Sequence, residues 1–437
     1  MKWVVVGAGS GGCVAARRLH DAGHHVVLVE TGPPLEEGRV PASIDGDDSF
    51  AALAEPGRTH DDTAASRTAG GHRRWYARGR GVGGSSAVNA MVALDGDLDL
   101  YRRWGWADVE EMFGRILVPS SPATPNEIGR VDRLLLEASD RARRTPLTRV
   151  GGRRITVAEA YVWPIAGSDR CDIRADTTVD RIATDASGCA VGVRLATGET
   201  VDADAVVLAA GALHTPAILL RSELGGPSVG TGLADHPAVG FALSFPTAEQ
   251  GGLSTSVVIV DAAIQMLAVN HLADDAPGEL GMLLVALMRP ESHSGTVRLR
   301  SDDPSVAPTV DFDLFSDRRD VAALRAGVRD ALDLLSEPSI RASIENVFID
   351  DRGTTVEALV DDAAIDAWIT SHGADYVHAA CSCSEITDRD DGAVHGVERL
   401  FVADASAFPQ IPDANTHRPT MMLAERFAAR WTAPGSE

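Results

Sequence analysis

The sequence predicts an α/β fold: a Rossmann-like dinucleotide-binding domain with an inserted α+β domain built on an antiparallel sheet. Three observations carry this. A short apolar strand at the start of the chain runs directly into a glycine-rich turn, a helix and a second strand. The continuously apolar run Ala205-Val206-Val207-Leu208-Ala209-Ala210-Gly211 and the later Leu400-Phe401-Val402-Ala403-Asp404 have the character of further strands of one buried parallel sheet. Between these two runs, residues 252–315 hold several short strand-like segments in series, the pattern of an antiparallel sheet.

The first strand covers residues 3–6, and Gly7-Ala8-Gly9-Ser10-Gly11-Gly12 follows at once. Gly7 allows a tight turn, Gly9 lets a pyrophosphate approach the backbone, and Gly12 permits close packing of helix on strand. Ser10 opens the helix, where free N–H groups and the helix dipole favour an anion. The helix runs to about Ala22, and a strand over 25–29 ends on Glu30. An acid about 20 residues after the first glycine accepts hydrogen bonds from a ribose diol. Taken alone, this unit does not distinguish a nicotinamide from a flavin dinucleotide.

Residues 36–75 are polar and mixed in charge, either a cover over a site or a solvated loop. Residues 79–89 contain four glycines and two serines, which let the backbone approach a large flat or anionic ligand. Asn89 then opens a helix-capable apolar run over 90–94. The spacing of Tyr101, Trp104, Trp106, Val109, Met112, Phe113 and Ile116 predicts an amphipathic helix over 101–117, followed by a loop over 118–130. Strands are expected over 171–173, 177–182 and 190–195, with a Thr197-Gly198 turn and a return from Val201. Thr215-Pro216 predicts a helix start, with proline in its favoured first turn. Strands over 256–260, 282–288, 295–300 and 310–312, a helix over 320–335 and a closing helix over 419–431 complete the pattern. The nucleotide-binding domain is thus expected from 1–100, 151–240 and 385–437, and the inserted substrate-binding domain from 101–150 and 241–384.

At 437 residues and 44% hydrophobic, the chain can bury an ample core in about two domains. Its formal net charge of −23 argues against a nucleic-acid backbone or an anionic membrane surface as partner. No apolar run approaches the ~20 residues of a transmembrane span. The glycines after Val6 interrupt any secretory segment, so a cytoplasmic protein is expected. The five cysteines, Cys13, Cys171, Cys189, Cys381 and Cys383, include no C-x-x-C pair. Neither a disulfide framework nor a metal site is expected, and the thiols should be reduced.

Five segments in order make the chain resemble the glucose–methanol–choline (GMC) oxidoreductases, a family of flavoproteins. They are the unit from Val4 to Glu30; Gly79-Arg80-Gly81-Val82-Gly83-Gly84-Ser85-Ser86-Ala87-Val88-Asn89; Gly211-Ala212-Leu213-His214-Thr215-Pro216 through Ser222; Gly232-Leu233-Ala234-Asp235-His236-Pro237; and Val394-His395-Gly396-Val397 through Asn415-Thr416-His417-Arg418-Pro419-Thr420. In overall character the chain also resembles the bacterial branch of that family associated with the peptide cofactor mycofactocin.

The resemblance implies FAD. Glu30 would hold the adenosine ribose and the Val179 backbone would meet the adenine. Gly81, Gly83, Gly84 and Ser85 would form part of the cradle, and Asn89, Ala90, Met91 and Val92 would lie along the flavin and pyrophosphate. Asp404 and Ala405 would sit near the ribityl chain and pyrophosphate. Thr420 and Met421 would begin a helix whose N-terminus faces the flavin's pyrimidine edge, where it would stabilise an anion. Some relatives attach FAD through a histidine just before the equivalent of Asn89; Val88 stands there, so the resemblance implies non-covalent FAD.

His378 occupies the position of the family's active-site histidine, and His417 the second position, which is His or Asn in relatives. A neutral imidazole can take the hydroxyl proton of an alcohol as hydride leaves its carbon for flavin N5. His236 and His395 are expected to be structural. The implied substrate is a small-molecule alcohol, with oxygen, a quinone or a redox protein as electron acceptor. A hydroxynitrile-lyase-like enzyme or a degenerate flavin-binding protein are the alternatives on the same scaffold. The chain departs from the family after His378, where Cys381 replaces a usual glycine and Glu385 a usual methionine. It is also short for the family, with the missing length expected after 99 and in 118–150 and 240–290.

Overall fold

The computed structural model describes residues 1–68, 70–249, 251–273 and 279–433, so the last four residues of the expected nucleotide-binding block lie outside it. A five-stranded parallel sheet forms the first layer, in the order Cys171–Arg174, His25–Val29, Lys2–Val6, Ala205–Leu208, Leu400–Val402. Strands covered on both faces need apolar residues at every position, and Val4, Val5, Val206, Val207 and Leu208 are all fully buried. Helices Ser10–Asp21 and His417–Trp431 pack against each other in this layer.

Two glycines set the first helix onto the strand ends. A Cβ on Gly12 would stand 1.8 Å from the Gly7 carbonyl oxygen, and one on Gly11 would stand 1.8 Å from that of Ala403. No side chain fits at either place, so three distant segments of the chain meet backbone to backbone.

The second layer is a six-stranded antiparallel sheet in the order Asn346–Phe348, Ala238–Phe245, Glu279–Leu287, Ile264–Ala273, Val257–Asp261, Arg143–Arg144. Side chains alternate across it. Met266, Ala268, Leu283, Val285 and Leu287 pack with Leu324, Val328 and Ala331 of helix Arg318–Leu335. Leu267, Val269, Leu284 and Ala286 point the other way and join Met91, Val92 and Tyr376. A smaller five-stranded sheet takes Ala64–Ser66 and Arg74–Trp75 from the 36–75 excursion and joins them to Thr309–Asp311, Gly295–Arg298 and Thr231–Leu233. Among the described residues no helix is long and apolar enough to cross a membrane.

Several local expectations change. The helix expected over 101–117 is two, Leu98–Arg103 and Val109–Gly114, because Gly105 takes φ +93° and turns the chain between them. Tyr101, Trp106, Met112 and Phe113 pack in the parallel-sheet core, although 101–150 was grouped with the inserted domain on sequence. The run after Asn89 is not helical. The Asn89 side-chain oxygen accepts the Met91 N–H at 3.0 Å, with Met91 at φ +62°, and this local turn replaces a helical start.

The helix expected from Thr215 begins at Gly211 and carries Pro216 inside it. Proline leaves the Ala212 carbonyl without its helical donor. The Ser382 hydroxyl supplies one at 2.6 Å. The last helix starts at His417, two residues before Pro419. The ten-residue strand Ile264–Ala273 was not anticipated, since its near-continuous apolar run lacks the two-residue alternation of a half-exposed strand.

Gly11→Ala should destabilise the protein by about 1–3 kcal/mol or more, because the obstructing atoms are backbone. A Cβ at Gly114 meets nothing within 4 Å, so Gly114→Ala should leave the denaturation midpoint within error of the parent. Urea unfolding of the two variants side by side checks this.

Candidate active site

A cavity of about 760 Å³ extends from the glycine-rich turn of the parallel sheet to the inward face of the antiparallel one. Gly7, Gly9, Ser10, Glu30, Gly84, Ser85 and Val179 border it. Asn89, Ala90, Met91, Val92, Asp404, Ala405 and Thr420 do so too, as do both His378 and His417. Gly12, Gly81, Gly83 and Met421 do not. Gly12 lies against Gly7. The Gly81 N–H donates to Glu30 at 3.0 Å, the Gly83 N–H donates to the Ala8 carbonyl at 2.8 Å, and Met421 is fully buried in the core. Phe50, His60 and Asp62 of the 36–75 excursion also line the cavity.

At one end the backbone is bare. A Cβ on Gly9 or on Gly211 would meet nothing within 4 Å, although both border the cavity. The buried Glu30 carboxylate accepts N–H bonds from Gly32 and Gly81 on one oxygen, at 2.9 and 3.0 Å, and from Ala8 on the other, at 2.9 Å. The second oxygen keeps room for a further donor. Asp404 accepts from the Gly211 N–H at 2.8 Å, the Thr215 hydroxyl at 2.6 Å and the Ser406 N–H at 2.8 Å. It therefore caps the helix that follows Gly211.

His417 is the first residue of the last helix, and its Nδ1 lies 2.8 Å from the Ser10 hydroxyl. Its Nε2 is buried without a protein partner. Burial, with the Arg418 and Arg154 charges, pushes its pKa down to about 4. Arg154, 1% exposed, donates from Nη1 to the Asn89 carbonyl at 2.5 Å and to its side-chain oxygen at 3.0 Å, while Nε and Nη2 have no partner.

At the other end a hydrogen-bonded chain fixes the protonation of His378. The Pro412 carbonyl can only accept, so His236, whose Nε2 lies 3.0 Å from it, donates there. Burial pushes the His236 pKa down to about 3, so its Nδ1 holds a lone pair. That lone pair lies 2.9 Å from His378 Nδ1, which must carry the proton. Burial, with His236 and Arg78 nearby, keeps His378 well below the ordinary imidazole value. His378 is therefore neutral, with its lone pair on Nε2.

Asn415 Nδ2 donates toward that Nε2 at 3.4 Å, and Gln265 Nε2 donates to Asn415 Oδ1 at 3.2 Å. Asp235, fully buried, accepts from the Tyr76 hydroxyl at 2.6 Å and from the N–H groups of His236, Tyr376 and His378 at 2.7, 3.2 and 3.0 Å. Burial and the Asp375 carboxylate raise its pKa above the usual range. Asp235, His236 and His378 lie close enough together to share a cation. However, hydrogen bonds to Asp235 and between the two Nδ1 atoms account for this proximity.

Sequence reasoning took His236 as structural and did not single out Asn415 or Gln265. Asn415 lay within a recognised segment, two residues before His417. Gln265 had no signal beyond a polar residue in an apolar run. The structure does not set His417 against His378 Nε2; Asn415 has that position.

Residues 144–238 and 290–424 match the GMC oxidoreductase family, and residues 5–35 match the NAD(P)-binding Rossmann-like domain. The chain belongs to the GMC oxidoreductase family. It is 27% identical to a 5-(hydroxymethyl)furfural oxidase of Methylovorus sp., covering 98% of this chain and 97% of that one. It is 29% identical to an oxygen-dependent choline dehydrogenase of Xanthomonas axonopodis pv. citri, covering 98% and 95%. The first of these alignments runs over 532 positions, so the relative carries segments that this chain lacks.

Its fold is that of pyridoxine 4-oxidase from Mesorbium loti, with a TM-score of 0.87 at 22% identity over 98% of this chain and 99% of that one. A formate oxidase variant of Aspergillus oryzae matches with a TM-score of 0.84 at 19% identity over 98% and 97%. This GMC oxidoreductase is an FAD-dependent enzyme. The bare backbone at Gly9 and Gly211, the spare acceptor on Glu30 and the unpartnered His417 Nε2 fit that cofactor.

Gly9 has extended backbone (φ −87°, ψ −161°) open to any residue. Gly9→Ala should leave the unfolding midpoint of the apoprotein unchanged while weakening FAD binding by at least about tenfold, or 1.4 kcal/mol. Fluorescence titration of apoprotein with FAD measures the second effect.

Proposed function

We propose that this protein oxidises a small-molecule alcohol to the carbonyl, with His378 as general base. The observation that carries the reading is the hydrogen-bonded chain from the Pro412 carbonyl through His236, which leaves His378 Nε2 as an unprotonated nitrogen beside the cavity. A substrate hydroxyl donating to Nε2 loses its proton there as the carbonyl forms. Asn415, whose Nδ2 lies 3.4 Å from the same Nε2, would donate to that oxygen and orient it. His417, held by Ser10 at the N-terminus of the last helix, acts apart from His378 and stabilises negative charge at its own end of the cavity.

Bound FAD supplies the hydride acceptor. Glu30 and the backbone around Gly9, Asn89 and Asp404 would hold it. Val88, which borders the cavity, offers no nucleophile at its position, and this supports non-covalent binding. Denaturing the purified holoprotein with acid should release all the flavin into the supernatant. The relatives named as oxidases and as an oxygen-dependent dehydrogenase make oxygen the first electron acceptor to test.

His378→Ala should retain FAD but lower kcat/KM for a reactive alcohol by about 10²–10⁴-fold. Retained activity in an FAD-loaded His378→Ala protein would overturn the assignment. The pH profile carries a sign. Protonated His378 cannot accept a proton, and burial has moved its protonation to lower pH. The acid limb of kcat/KM should therefore stay flat through the ordinary imidazole range near 6.5 and fall only well below it.

A further inference from the structure

We infer that the alcohol accepted at this site is uncharged and largely apolar, and that a quaternary ammonium alcohol such as choline is excluded. This rests on the alcohol-oxidation reading and deepens it. The wall next to the catalytic histidine comes from the inward-facing residues of two adjacent strands, Leu267 and Val269 on one and Met282 and Leu284 on the other. Met91 and Val92 extend it. The Tyr376 ring belongs to the same apolar cluster and lies 4.6 Å from the His378 ring, which ties this wall to the reacting end of the cavity.

Among the described residues no carboxylate belongs to this wall; Asp62, which also borders the cavity, lies on the 36–75 excursion beside His214. Asp235 is the carboxylate beside His378, and it already accepts a hydroxyl and three backbone N–H groups. Asp375, the next along the chain, is paired with Arg67 at 2.5 Å. A positive charge also stands at this end of the cavity. Arg78 lies over the Tyr76 ring at 5.0 Å and donates to the Val377 carbonyl, one residue from His378. Among the described residues, the polar side chains that remain on this wall are neutral. Ser254 and Thr255 border the cavity, and the buried Thr255 hydroxyl has no protein partner. An ammonium group would lose its hydration against aliphatic side chains and a like charge, which is strongly unfavourable without a paired anion. A neutral alkyl or aryl group gains from the same burial.

The test compares choline with 3,3-dimethylbutan-1-ol, which has the same shape without the charge. Binding to the FAD-loaded protein is read from the flavin difference spectrum, and turnover from anaerobic bleaching. The neutral alcohol should bind at least about 100-fold more tightly than choline and should bleach the flavin, as an unpaired buried charge requires. Choline binding as tightly as its neutral counterpart, or neither binding, would overturn the inference. Tight binding of 3,3-dimethylbutan-1-ol without bleaching by it or by other alcohols keeps the apolar pocket and overturns alcohol oxidation instead.

Discussion

The close approach of the Ser10–Asp21 helix to the ends of the parallel strands is the constraint on which the cavity depends. Gly12 sits against the Gly7 carbonyl and Gly11 against that of Ala403, with no space for a side chain between them. That contact brings residues 7–12, 209–211 and 403–404 together, and Asp404 then caps Gly211 and Thr215. The last helix is fastened to the first by Glu425, fully buried, which accepts two bonds from Arg18 at 2.7 and 2.8 Å and one from the Tyr161 hydroxyl at 2.8 Å. A buried ion pair adds little net stability, but loss of one partner is costly, so it selects one arrangement of the two helices. That arrangement sets His417 beside Ser10, 407 residues earlier in the chain.

The His378 end of the cavity is organised differently, by polar atoms with one admissible role each. A carbonyl at Pro412 assigns the His236 proton, His236 assigns that of His378, and Asn415 and Gln265 align from the opposite side. An unsatisfied buried group costs about 1–3 kcal/mol, so each link in such a chain constrains the next. Asp235 gathers four donors at one buried carboxylate and holds the backbone at Tyr376 and His378. The unusual segment after His378 lies mostly behind this wall. Cys381 takes φ +73°, a conformation suited to the glycine usual in the family, and its N–H bonds the Ala405 carbonyl at 2.9 Å. From Ala380 to Cys383 the chain is buried core, and Glu385 is exposed. These departures alter packing without entering the cavity.

Much of the cofactor end was legible in the sequence because its requirements are local. Strand, glycines, helix, strand and acid act through residues close together in the chain, and the bare backbone at Gly9 and the position of Glu30 follow from that order. The apolar strands at 205–208 and 400–402 were legible for the same reason, since a strand covered on both faces needs unbroken hydrophobicity. Expectations failed where a single local interaction overrode a periodic pattern: Gly105 broke one helix, the Asn89 side chain prevented another, and a hydroxyl from Ser382 allowed a third to begin ahead of Pro216.

The sequence by itself determined the family, the nucleotide-binding unit and the candidacy of His378, because each rests on residue type and spacing. Tertiary structure decided which nitrogen of His378 is basic, that His236 orients it, and that Asn415 rather than His417 stands beside it. It also decided that alternate residues of an unanticipated strand line the cavity. Those facts depend on hydrogen-bond direction and on which face of a sheet meets the cavity. Both are properties of groups 37 to 176 residues apart in the chain, so no local pattern encodes them.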